Sequence, residues 1–119
     1  MRIFIAGPYG DQNPKEVIAE NVRKADEAAR ELVSMGLTPY CPHTMSWGWE
    51  DDERLDPREY YRMDKDWMSV CHALLFLAPS PGANRERQMA YELGLRVFNS
   101  IEEIKEYLQR VSMGVWIEF

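Results

Sequence analysis

Two carboxylates fall on helix sides where the sequence pattern predicts apolar residues. Asp64 follows Tyr60 by four residues and precedes Met68 by four, so it shares the apolar side of its predicted helix. Glu86 precedes Ala90 by four residues and therefore faces inward on the next helix. A carboxylate on an apolar helix face is costly unless it is paired or used in chemistry. Both residues are therefore candidate catalytic groups.

Each carboxylate also has a purely structural interpretation. Asp64 could accept a hydrogen bond from a neighbouring loop, and an acidic residue near a helix N-terminus, such as Glu86, is favoured by the helix dipole alone. Together, two inward carboxylates suit acid/base or nucleophilic work. Such a pair can cleave a glycosidic bond when one attacks or stabilises the anomeric carbon and the other protonates the leaving group. Tyr9 would orient the nucleophile by hydrogen bonding.

The elements that must position these residues alternate between strands and helices. We predict strands at 3–6, 38–41, 73–77 and 96–98, and helices over about 14–35, 57–71, 83–93 and 101–110. This alternation predicts a parallel sheet covered by helices on both sides. The apolar tail at 115–117 is either a fifth strand or a dimer contact. In open sheets of this kind, ligands bind beyond the carboxyl ends of the strands.

Helix boundaries follow from capping residues and helix-stop signals. Asn13 is the predicted N-cap of the first long helix, with Pro14 at its first position and Gly36 as its stop. Ser100 and Glu103 form a predicted capping box for the last helix. Residues 79–82 are a predicted turn, and residues 44–56 form the longest predicted irregular stretch, which is typical of a binding loop or lid.

Polar residues follow three of the predicted strands. The first strand leads into Gly7-Pro8-Tyr9-Gly10, the second into Pro42-His43, and the third into Ser80-Pro81-Gly82 and then Glu86. The first loop has neither the dinucleotide fingerprint nor the phosphate-loop spacing. It is either a plain strand-to-helix turn or a binding loop, in which Gly7 lets the backbone approach a ligand and Tyr9 offers its hydroxyl.

The long loop contains two tryptophans, Trp47 and Trp49, spaced to share one side if the loop is locally extended. They either stack on a nucleobase or bury themselves to stabilise the loop. His43 either lines the pocket or, as the favoured interpretation, is a structural histidine.

Charge and composition limit the classes of function. The 119 residues predict one domain over 1–119, and 14 basic against 20 acidic residues give a net charge of −6. This balance argues against a broad polynucleotide or anionic-membrane surface, but a phosphorylated small molecule needs only a few local donors. The two cysteines, Cys41 and Cys71, are expected to be free thiols. No residue cluster has metal-ligand spacing, no cofactor is expected, and a cytoplasmic protein is expected.

Four features of the sequence match a known family. They are the opening Gly7-Pro8-Tyr9-Gly10 with Asn21 in the next helix, the Pro42-His43 strand end, Asp64 eight residues before His72, and the pattern Ser80-x-Gly82-x-x-x-Glu86-x-x-x-Ala90. On these features the chain, over about residues 1–98, resembles the nucleoside 2-deoxyribosyltransferase superfamily, which includes 2′-deoxynucleoside 5′-phosphate N-hydrolases.

This resemblance implies a Rossmann-like, flavodoxin-type three-layer sandwich with a parallel four- to five-stranded sheet. It implies that Glu86 is the nucleophile at C1′ of the sugar, that Asp64 is the acid for base departure, and that Tyr9 positions Glu86. It also implies a homodimer or higher homo-oligomer in which a neighbour completes the site. The candidate substrate-binding residues come from these motifs, from the predicted strand ends and from the long loop. They are Gly7, Pro8, Gly10, Asn21, His43, Trp47, Ser80 and Gly82.

Departures from the family pattern bear on the substrate. Ser80 stands where base-exchanging transferases carry Asp, which favours a 5′-phosphate because a carboxylate would repel it whereas a hydroxyl and helix N-terminal amides would bind it. The loop 7–14 has no arginine for that phosphate, so Lys15, Arg85, Arg87 or a partner subunit would substitute. His72, where the family often has Asp, is expected to be structural.

Three functions remain open, in this order. The first is an N-glycosidase that acts on a (deoxy)nucleoside 5′-monophosphate. The second is a nucleoside 2-deoxyribosyltransferase that exchanges bases. The third is a non-catalytic nucleotide-binding module, which would have no need of an inward nucleophile.

Overall fold

Four parallel strands form one sheet in a computed structural model of the chain, which describes residues 1–10 and 13–113. The strand order is β2-β1-β3-β4, with β1 at Arg2–Ala6, β2 at Thr38–Tyr40, β3 at Ala73–Phe76 and β4 at Arg96–Phe98. This order belongs to the flavodoxin type of doubly wound fold. The predicted α/β architecture is confirmed. The tail at 115–117, predicted to be a strand or a dimer contact, lies outside the described residues.

Helices cover both faces of the sheet. They are α1 (Lys15–Ser34), α2 (Pro42–Met45), α3 (Pro57–Met68), α4 (Pro81–Glu92) and α5 (Ile101–Ser112), with a 3₁₀ helix at Trp49–Asp51. None of the described helices combines the length and the hydrophobicity that a bilayer crossing requires.

The central strand β1 divides the core into two layers. Ile3 and Ile5 pack with residues of α1 and α5, whereas Phe4 and Ala6 pack with residues of α3 and α4. All four side chains are fully buried, as expected for an apolar strand covered on both faces. The helices that carry Asp64 and Glu86 therefore pack against the same face of the sheet.

The start of α1 differs from the prediction. The N-cap is Pro14 without a side-chain capping bond, so the expectation that Asn13 caps this helix is wrong. The cause is a tight turn, in which the backbone N–H of Asn13 donates to the carbonyl of Gly10 at 2.8 Å. Gly10 has a φ of +82°, which glycine adopts without strain. The helix consequently begins one residue later, at Lys15.

Other boundaries also differ, and α3 ends at Met68 rather than near Cys71. The stretch 44–56 is not wholly irregular, because α2 extends into it and the 3₁₀ helix follows. Pro81 and Gly82 lie in the first turn of α4 rather than in a turn before it. The hydroxyl of Ser80 accepts from the backbone N–H of Ala83 at 3.0 Å, which satisfies a free donor and starts the helix at Pro81.

The cap of α5 provides a test of the helix assignments. Ser100 accepts from the backbone N–H of Glu103 at 3.1 Å, and the Glu103 carboxylate accepts from the backbone N–H of Asn99 at 2.8 Å. We expect Ser100→Ala to lower the free energy of unfolding by about 1 kcal/mol, measured by urea denaturation. Ser112→Ala, at the other end of the same helix, is the control and should change it by less than about 0.5 kcal/mol. Equal losses in both variants would contradict the cap.

Candidate active site

The candidate site lies at the carboxyl edge of the sheet, between β1 and β3. After β1 the chain continues to one face of the sheet, and after β3 it continues to the other face. In doubly wound sheets, this change of direction opens a crevice. The loop after β1 runs close to the end of β3. A Cβ atom added to Gly7 would lie only 3.2 Å from the Cβ of Leu77. A side chain at Gly7 would therefore pack tightly against Leu77, and the approach of the Gly7 backbone to a ligand stays a prediction.

Asp64 is half-buried on α3 beside the end of β2. The hydroxyl of Tyr40 donates to its Oδ1 atom in a long hydrogen bond of 3.4 Å. Burial raises the pKa of Asp64 to about 6, and the hydrogen bond from Tyr40 opposes that rise. The partner of this carboxylate is thus a strand-end tyrosine rather than a neighbouring loop.

Glu86 lies in the second turn of α4 and is also half-buried. Burial, and then the negative charge of Asp64, raise the pKa of Glu86 to about 8, while the Arg85 guanidinium opposes the rise. The structure therefore brings the two candidate catalytic carboxyls together as an electrostatically coupled pair. With values on either side of 7, the pair holds about one proton at neutral pH.

Tyr9 has a different partner from the one that the resemblance implied. Its hydroxyl donates to the Glu50 carboxylate, at 2.8 Å from Oε1 and 3.1 Å from Oε2. A phenol has one hydrogen to donate, and in this structure Glu50 accepts it. The positioning of Glu86 by Tyr9 stays a prediction. Burial and this bond raise the pKa of Tyr9 to about 12. The backbone N–H of Gly48 also reaches the Tyr9 oxygen, at 3.5 Å.

Two of the predicted binding residues hold the backbone of the loop after β1. Asn21 donates from Nδ2 to the carbonyl of Tyr9 at 3.2 Å. His43 is buried, and its Nε2 lies 3.1 Å from the carbonyl oxygen of Gly7 and 2.9 Å from that of Pro8. These contacts fit the structural interpretation of His43. Burial lowers the pKa of its imidazole, so the ring is neutral at neutral pH, with its proton on Nε2.

The condition for the two loop tryptophans to share one side is not met. The loop is not extended there, because Gly48 has a φ of +86° and a 3₁₀ helix begins at Trp49. Trp49 packs against Tyr60 with ring centroids 6.5 Å apart, and its carbonyl accepts from the Tyr60 hydroxyl at 3.1 Å. Trp47 is 54% exposed. Trp49 is 36% exposed, so neither tryptophan is buried, although Trp49 does contact Tyr60. Base stacking stays a prediction for Trp47.

At the start of α4, Ser80 caps the helix, and Gly82 is uncrowded, with an Arg85 nitrogen 3.9 Å from where its Cβ would lie. At the opposite, amino edge of the sheet, His72 accepts from the backbone N–H of Arg2 through Nδ1 at 2.9 Å, in accordance with a structural role. Within residues 1–10 and 13–113, no three His, Cys, Asp or Glu side chains are grouped so that they could hold a metal.

Sequence reasoning missed two residues at this site. Glu50 lies in the stretch predicted to be irregular, and nothing in the local pattern indicates its bond to Tyr9. Tyr40 was assigned to the second strand without a role. The one available signal was its position next to the predicted carboxyl end of the second strand, at the edge where ligands bind in such sheets.

The raised pKa of Glu86 has a consequence for stability. The folded chain holds this proton up to a pKa of about 8, whereas an ordinary glutamate releases it near 4.5. Because the folded state binds more protons over that range, stability falls as pH rises through it. We therefore expect the free energy of unfolding of the wild type to fall between pH ~5 and ~8.5. In Glu86→Gln this fall should be smaller by about 1–3 kcal/mol, a range that allows for the partial exposure of the side chain. Urea unfolding at the two pH values measures the difference.

Glu92→Gln, at an exposed position of the same helix, is the matched control and should retain the wild-type slope. If Glu86→Gln showed the same dependence on pH as Glu92→Gln, the assigned environment of Glu86 would be wrong.

Comparisons with known proteins accord with this fold. A family model described as "Domain of unknown function (DUF7768)" matches residues 1–100. A search of curated proteins finds no match. Among solved structures, a 2-deoxyribosyltransferase from the psychrotolerant bacterium Bacillus psychrosaccharolyticus superposes with a TM-score of 0.62 at 16% identity. The match covers 82% of this chain and 69% of that one. At this identity, the likeness establishes the common fold.

Proposed function

This chain belongs to the DUF7768 family of domains of unknown function, and from its site we propose that it is an N-glycosidase. Its substrate is a (deoxy)nucleoside 5′-monophosphate, and its reaction passes through a glycosyl-enzyme intermediate. The observation that carries the proposal is the coupled pair of Asp64 and Glu86 at the ligand edge of the sheet. The fold shared with a 2-deoxyribosyltransferase supports the same class of chemistry.

The first step breaks the bond between base and sugar. The Glu86 carboxylate attacks C1′ of the sugar and forms an ester, while the electron pair of the glycosidic bond moves to the base nitrogen. Asp64 gives its proton to the departing base, which leaves as a neutral molecule. A carboxyl with a pKa raised toward neutrality is suited to this donation.

The second step regenerates the enzyme. The Asp64 carboxylate takes a proton from water, and the water oxygen attacks C1′. The ester bond to Glu86 breaks, and its electron pair returns to the carboxylate. The products are the free base and the sugar 5′-phosphate, and the pair again holds one proton. Neither step requires a cofactor.

The charge near α4 supports a phosphorylated substrate. Arg85 and Arg87 are on this helix, with their guanidinium groups 4.9 Å from the Tyr61 ring centroid and 4.2 Å from that of Phe76. Ser80 at the helix N-terminus adds no negative charge there. A phosphate is favoured both by the arginines and by the positive end of the helix dipole.

The second candidate is base exchange, in which another nucleobase replaces water in the second step. The observation that favours it is the fold likeness to a protein named as a 2-deoxyribosyltransferase. The third is a nucleotide-binding module without catalysis. The three differ in what they do to substrate, so one assay separates them.

We expect the purified chain to release free base from at least one nucleoside 5′-monophosphate, measured by chromatography against the matching nucleosides. Glu86→Gln preserves the size of the side chain but removes the nucleophile, and should lower kcat about 1,000-fold or more. Glu86→Ala should abolish turnover. Asp64→Asn removes the acid and should lower kcat about 100-fold or more. Glu92→Gln should remain active.

The outcomes discriminate between the candidates. Release only when a second base is supplied would favour the transferase. Binding of a nucleotide without turnover would favour the module. Near-normal activity of Glu86→Ala would overturn the assigned mechanism.

A further inference from the structure

Tyr40 contacts two other aromatic rings at the edge of the candidate site. As the last residue of β2 it pairs with Phe4 of β1, and the ring centroids of these two residues lie 5.3 Å apart. Its other neighbour is Trp67 of α3, stacked at 5.2 Å with an interplanar angle of 21°. Trp67 follows Asp64 by three residues on the same helix. The two ring contacts therefore hold the Tyr40 hydroxyl close to the Asp64 carboxylate.

The hydroxyl has two acceptors at the same distance. The Asp64 Oδ1 atom and the Met45 Sδ atom each lie 3.4 Å from the Tyr40 oxygen. One hydrogen serves one of them at a time. An ionised carboxylate is a much stronger acceptor than a thioether, so the hydrogen points to Asp64 when Asp64 is charged. When Asp64 carries a proton, rotation of the hydroxyl toward Met45 keeps the hydrogen bonded.

We propose that Tyr40 is a positioning residue that determines which of the two carboxyls carries their shared proton. By donating to Asp64 it keeps that group ionised in the empty site and leaves the proton on Glu86. Rotation of the hydroxyl allows the proton to pass from Glu86 to Asp64. That transfer leaves the total charge unchanged and gives a carboxylate nucleophile and a protonated acid. This inference rests on the proposed function.

The shared proton must move from Glu86 to Asp64 before the first step. With pKa values of about 6 for Asp64 and about 8 for Glu86, the empty site at pH 7 has the proton on the group that must attack. Among the described residues, Arg85 on α4 also acts on Glu86, and Cys41 after β2 acts on Tyr40. Replacing Tyr40 by Phe leaves these groups and both ring contacts in place and removes only the donor.

The test is a carboxyl ¹³C NMR titration of the chain labelled in Asp and Glu side chains. In Tyr40→Phe we expect the Asp64 titration to move up by about 0.5–1 pH unit, because its ionised form loses a hydrogen bond. The acidic limb of kcat against pH should move by the same amount, with KM changed less than about twofold. Tyr91→Phe makes the same atomic change at an exposed position of α4 and should leave both measurements unchanged.

An unchanged Asp64 titration in Tyr40→Phe would overturn the inference, and so would an equal shift in Tyr91→Phe. Failure of the proposed function has a different signature. In that case the wild type releases no base from any substrate, while the NMR titration still reports whether Tyr40 acts on Asp64.

Discussion

The site depends on the repulsion between two carboxylates that the fold brings together in a half-buried crevice. Asp64 and Glu86 are on different helices, and the strand order β2-β1-β3-β4 places α3 and α4 against the same sheet face. Burial disfavours a charge on either group, and the negative charge of Asp64 further disfavours ionisation of Glu86. The pair therefore keeps one proton near neutral pH. Glycosidic cleavage requires two carboxyl groups in different protonation states, one that donates a proton and one that is ionised.

The surrounding polar residues hold the backbone of the loops beside the site in place. Asn21 and His43 bind carbonyls of the loop after β1, which fixes the path of that loop beside the crevice. Tyr9 connects the same loop to the segment 46–52 through Glu50. Rigid support of this kind keeps reactive groups in place without adding further charge to the site.

The periodic parts of this structure were predictable from the sequence, and the long-range contacts were not. Inward orientations of Asp64 and Glu86 follow from helical spacing, and a continuous apolar run identifies a buried strand such as β1. The bonds from Tyr9 to Glu50 and from Tyr40 to Asp64 join residues 41 and 24 positions apart, and no local pattern encodes them. The error at Asn13 is of another kind, since an unforeseen turn to Gly10 moved the helix start by one residue.

The most direct measurement is to trap the covalent intermediate. A nucleoside 5′-monophosphate with fluorine at C2′ should form the ester but hydrolyse slowly, because the fluorine destabilises the cation-like transition state of the second step. Intact-mass spectrometry should then find one sugar phosphate per chain, and peptide mapping should locate it on Glu86. An adduct on a different residue, or base release without any adduct on Glu86 during steady turnover, would contradict the account.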